Sequence, residues 1–134
     1  MRYPFVLIAP LLLLGGCGSD KIECGTPADL AGNWTYAGVQ SAPTAANLTG
    51  TMSLTTSGTC TFDGHLSVSV DNGSGTPTLL DGSVSGVFLD DSTVDFTAQL
   101  SGERRHLGVV RADSIVGSWS GGTSGTFHAV RGPA

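Results

Sequence analysis

From residue 32 onward the chain alternates. Leu66, Val68 and Val70 are separated by Ser67 and Ser69, and Val94, Phe96, Ala98 and Leu100 by Asp95, Thr97 and Gln99; Ile115, Gly117 and Trp119 form a third series. A period of two sends all the apolar residues of such a run to one face of a β-strand. Turn signals punctuate the runs at Ser57-Gly58, Asp71-Asn72-Gly73, Asp90-Asp91, Ser101-Gly102, Ala112-Asp113 and Gly121-Gly122. No stretch after residue 31 carries an apolar stripe at helical spacing. The chain must therefore bury its apolar surface as sheet.

The spacing predicts strands over 32–37, 48–56, 59–70, 78–89, 93–100, 105–111, 114–120 and 125–131. Asp63-Gly64 reads as a bulge within the third strand or as an extra turn. Eight strands in the 100 residues from 32 to 131 leave 12.5 residues per strand and turn, the spacing of antiparallel neighbours. The fold expected is all-β: a single eight-stranded antiparallel up-and-down barrel, with a β-sandwich as the second choice. A membrane-spanning barrel is not expected, because the face opposite the apolar one is Ser, Thr, Asp and Gln rather than an apolar band with aromatic girdles.

Residues 1–16 read differently. Arg2 precedes an apolar run of ten residues, Phe5 to Leu14, followed by Gly15-Gly16. That is the pattern of an exported chain's signal peptide, and it is too short to span a bilayer, which takes about 20 apolar residues. Leu14-Gly15-Gly16-Cys17 resembles a bacterial lipobox. The resemblance implies cleavage before Cys17 and acylation of Cys17, with Gly18 rather than Asp pointing to the outer membrane. The acyl chains make the membrane the first expected partner, since one chain alone anchors only marginally and several anchor stably. The sequence divides accordingly into a signal peptide (1–16), a lipidated tether (17–31) and a barrel domain (32–131).

Two of the three cysteines remain, Cys24 and Cys60. In an oxidising envelope such a pair forms a disulfide, worth about 4 kcal/mol for a loop of this length; two free buried thiols are the alternative. Seven positions separate Cys17 from Cys24, a reach of at most about 25 Å, so the domain is expected close to the membrane surface.

Leu30-Ala31-Gly32-Asn33-Trp34 resembles the Gly-x-Trp opening of calycin barrels, the lipocalin and avidin group, and Gly125 to Arg131 is similar to their closing strand with its terminal Arg. Avidin also carries a cysteine shortly before its Gly-x-Trp, as Cys24 stands here. The resemblance implies that Trp34 and Arg131 pair to close the barrel floor, a structural role. Avidin's polar biotin ligands and stacking tryptophans have no counterpart, so biotin is not expected.

In a closed meander successive turns alternate between the two ends. The turns near 57–58, 90–92 and 112–113 share an end with both termini and with Cys60; segments 38–47, 71–77, 101–104 and 121–124 share the other. The second set, longer and rich in small residues, is the expected mouth. It gathers the one basic cluster, Arg104, Arg105 and His106, beside Trp119, which together suit an anionic or ring-bearing ligand.

Catalytic signatures are absent. Gly82-Ser83-Val84-Ser85-Gly86 and Gly117-Ser118-Trp119-Ser120-Gly121 lack the central serine of a nucleophile elbow, no phosphate-binding glycine loop occurs, and His65, His106 and His128 fall on different strands. Asp71-Asn72-Gly73-Ser74-Gly75 lacks the later acidic ligands of a calcium loop, and neither metal nor cofactor is expected. A net charge of −5 gives no footprint for nucleic acid. The reading is a non-enzymatic envelope lipoprotein that binds a small apolar or amphipathic molecule. The alternative is a protein-interaction lipoprotein, either an accessory subunit or an inhibitor of a periplasmic enzyme, with a filled lumen.

Overall fold

The computed structural model describes residues 24–132; Cys17 and the segment 1–16 lie outside them. Eight strands follow one another: β1 Gly32–Ala42, β2 Ala46–Thr56, β3 Thr61–Asp71, β4 Thr78–Phe88, β5 Thr93–Gln99, β6 Glu103–Arg111, β7 Ser114–Ser120 and β8 Ser124–Arg131. Each pairs antiparallel with its sequence neighbours, and β8 returns to β1 with Trp34 opposite Arg131. The sheet is a closed up-and-down barrel, not a sandwich, and closure leaves no free edge.

Alternation decides what fills it. The inward set includes Trp34, Tyr36, Met52, Phe62, Leu66, Val84, Phe96, Ile115 and Phe127, all at most 2% exposed. An eight-stranded barrel has an interior just wide enough to be filled by side chains or to hold one small ligand. Here the rings interlock: Phe62 meets Phe88 and Phe96 edge-on at 5.8 and 6.0 Å, and Phe96 meets Phe127 at 5.7 Å, favourable aromatic geometries. The outer face carries the intervening Ser, Thr and Asp, together with exposed Val109, Val116, Leu107 and Val130.

Asp63-Gly64 is neither bulge nor turn. Gly64 keeps regular register with Leu54 and Val84, and a Cβ there would strike the Ser53 carbonyl oxygen. The missing side chain lets β2 and β3 coil tightly at that point.

The expected long loop 38–47 is mostly strand. β1 runs on to Ala42 and β2 begins at Ala46, because Gly38, Val39 and Gln40 continue the in–out alternation and pair with Leu48, Asn47 and Ala46. Only 72–77 is a long connection at that end. The stretch 24–31 is not a bare tether either, since Leu30 is fully buried and Cys24 belongs to the core.

That stretch caps the short-turn end. Cys24 and Cys60 form a disulfide with their Cα atoms 6.0 Å apart. Trp34 Nε1 donates to the Leu30 carbonyl at 3.0 Å. Arg131 lies over the Trp34 ring at 4.5 Å, donates to the carbonyls of Ala31 and Asp29 at 2.8 and 2.7 Å, and pairs with Asp113 at 3.0 Å. This end of the lumen is shut.

Candidate functional site

The other end is open. Above the aromatic layer lies a cavity of about 210 Å³. Its walls are Leu48, Val70, Leu80, Leu100 and Trp119, its floor holds Tyr36 and His106, and Gln40, Thr78, Arg104 and Thr123 bring polar groups to it. Most of these sit on the half of a strand nearest the expected mouth; Leu100 and Thr123 lie in the turns at that end, and Tyr36 stands near the middle of β1. An apolar cavity of about 150 Å³ accepts benzene, so this one suits a molecule of one or two rings, with any remainder in solvent.

His106 is fully buried. It stacks on Phe96 at 4.5 Å and meets Phe127 edge-on at 4.9 Å. Its Nδ1 lies 2.9 Å from the Arg104 carbonyl and its Nε2 lies 2.9 Å from the Tyr36 hydroxyl. A carbonyl only accepts, so Nδ1 carries the hydrogen, Nε2 is the acceptor, and Tyr36 donates to it. Burial lowers the His106 pKa from 6.5 to about 4, outweighing the opposing effect of the Arg104 carbonyl, and burial pushes the Tyr36 phenol up. Both are neutral at pH 7.

Strand parity splits the basic cluster. Arg104 and His106 point inward, while Glu103 and Arg105 point out. Arg105 is not a mouth contact: it forms a bidentate pair with Asp95 on the outer wall, at 3.1 and 2.7 Å, which lowers the pKa of Asp95 and raises that of Arg105. Arg104 stays at the mouth, half-buried, with Nη1 donating to the Gly121 carbonyl at 2.7 Å. Trp119 is also at the mouth; its Nε1 donates to Thr123 Oγ1 at 3.0 Å, and its ring packs over Gly38, where a Cβ would lie 3.0 Å from it. Arg104, His106 and Trp119 therefore share the cavity. Trp34 and Arg131 stand at the opposite end.

Of the cavity residues, the sequence points to Arg104, His106 and Trp119 but not to Tyr36, Leu48 or Leu80. Parity with Trp34 would have placed Tyr36 in the lumen, but its partner lies 70 positions away, and no local signal connects them. Among the described residues no three His, Cys, Asp or Glu side chains are grouped to hold a metal ion.

No protein-family model matches the chain, and no curated protein does. Solved structures do. A de novo designed fluorescence-activating β-barrel is 17% identical, with a TM-score of 0.62 over 76% of this chain and 93% of that one. The redesigned barrel mFAP1, bound to DFHBI, is 10% identical, with a TM-score of 0.64 over 77% and 94%. The likeness is one of fold. It extends over almost the whole of those barrels and supports the closed eight-stranded antiparallel barrel described above.

Proposed function

We propose that this protein is a lipid-anchored bacterial envelope protein, held at Cys17 and directed to the outer membrane, whose barrel binds a small apolar or amphipathic molecule without transforming it. One observation carries the reading. The lumen is packed solid from the Trp34 floor to the Phe96 layer and then opens into a cavity with apolar walls and a few polar groups, the composition of a ligand site. A related architecture holds DFHBI in mFAP1. The disulfide fixes Cys24 at the closed end, so an anchor seven residues before it would sit beneath the floor and leave the mouth facing away from the bilayer.

Native mass spectrometry of the whole chain recovered from its own envelope tests this. A small-molecule adduct that is lost on unfolding is expected; a bare chain mass overturns it. Cys17→Ser should abolish partition into the detergent phase, and unchanged partition refutes the anchor. The interaction-protein reading draws on the outer wall, where exposed Val109 and Val116 are register partners and Leu107 and Val130 lie nearby. A stoichiometric protein partner in the same spectrum would favour it.

A further inference from the structure

The walls and floor described above accommodate an uncharged ring; the rim adds something more selective. Arg104 is the single charged side chain lining the cavity, in a chain whose net charge is −5. Among the described residues it makes no ion pair. Arg105 and Arg131 both hold carboxylates, and Glu103, its sequence neighbour, is turned to the outside. One Arg104 nitrogen is committed to the Gly121 carbonyl, which holds the guanidinium in place. A guanidinium carries five N–H groups in a planar fork, so donors remain for a planar anion.

The floor has the opposite polarity. The Tyr36 hydroxyl hydrogen is committed to His106 Nε2, and the His106 Nδ1 hydrogen to the Arg104 carbonyl. What is left there is lone pairs and ring faces. A carboxylate pushed to the floor would meet an acceptor, whereas a carboxylate at the rim meets a cation. The two ends thus set the orientation: ring inward, acid outward. The filled lower lumen also stops a long alkyl chain, because buried Phe96 and Phe127 pack against His106 and neither lines the cavity.

We infer that the ligand is a compact ring-bearing monoanion, an aryl carboxylate in shape, with its ring between Leu48, Leu80 and Trp119 and its carboxylate on the Arg104 fork. This rests on the small-molecule reading above and names its ligand class. Charge-assisted hydrogen bonds of this kind give a preference of about 10- to 100-fold over a neutral isostere.

The test compares 2-naphthoate, its neutral amide and dodecanoate on the full chain at neutral pH, with calorimetry for affinity and the Trp119 indole N–H resonance for location. The acid is expected to bind at least about 10-fold tighter than the amide, to move the Trp119 signal, and to outbind dodecanoate. Arg104→Gln should erase the preference between acid and amide, and Arg104→Lys should keep part of it. Equal binding of acid and amide, or a preference that survives Arg104→Gln, overturns the anion assignment while leaving a binding cavity. Tighter binding of dodecanoate overturns the compact-ring assignment. If none of the three probes moves Trp119, the cavity is not a ligand site, and the function proposed above falls as well.

Discussion

Acid should loosen this barrel through one side chain. The imidazole of His106 is fully buried and neutral, with a pKa near 4 against an ordinary 6.5. Between those values the unfolded chain binds a proton that the folded chain refuses. Stability from this group is therefore complete above about pH 6.5, falls as pH drops through the window, and levels off below about pH 4. At about 1.4 kcal/mol per pH unit the loss is about 3 kcal/mol, a large share of what holds a domain of this size. Urea unfolding of the full chain between pH 7 and pH 4, followed by tryptophan fluorescence, measures it. The control is His106→Gln, which can still donate to the Arg104 carbonyl and accept from Tyr36 but does not titrate. The wild-type curve should drop toward that of the variant by about 3 kcal/mol across the window. Parallel curves would refute the argument, since every other titrating group is common to both proteins.

Three further outcomes are expected. Ala112 holds a left-handed backbone, φ 54°, in the two-residue β6–β7 turn, so Ala112→Gly should raise stability by about 0.5–1 kcal/mol in thermal unfolding; a fall in the midpoint contradicts this. Arg105→Ala should leave the unfolding midpoint almost unchanged, because its pair with Asp95 lies on the solvent-exposed outer wall, and calorimetry should show ligand affinity unchanged, in contrast to Arg104→Gln. Replacing Cys24 and Cys60 together by serine should cost about 4 kcal/mol in urea unfolding, from the loop of 36 positions that their bond closes; an unshifted midpoint would show that the capping stretch holds without the bond.

The number and order of strands were legible because alternation survives in most of them, and Val94, Phe96 and Ala98 read in sequence as they stand in space. The far end of β1 was not, because its inward positions are Gly38 and Gln40, which carry no apolar signal. The cluster Glu103 to His106 is legible as chemistry, but the expected strand 105–111 leaves Glu103 and Arg104 in the turn; with β6 beginning at Glu103, parity alone separates Arg104 and His106 from Arg105. The Tyr36–His106 pair was beyond reach, since β1 and β6 face each other only after the barrel closes. Lumen volume was equally hidden. It depends on how tightly positions such as Gly50 and Gly64 let strands coil, and a Cβ at either would meet neighbouring backbone.

Because β8 lies beside β1, the described chain enters and leaves by the same rim, and the Gly132 amide still bonds to the Asn33 carbonyl. A short peptide could splice those two ends, and a cut within 72–77 would then create a circular permutant with every strand ladder intact. Its new termini would flank Val70 and Thr78 at the lip of the cavity. A dye attached there would turn the protein into a reporter of its own occupancy.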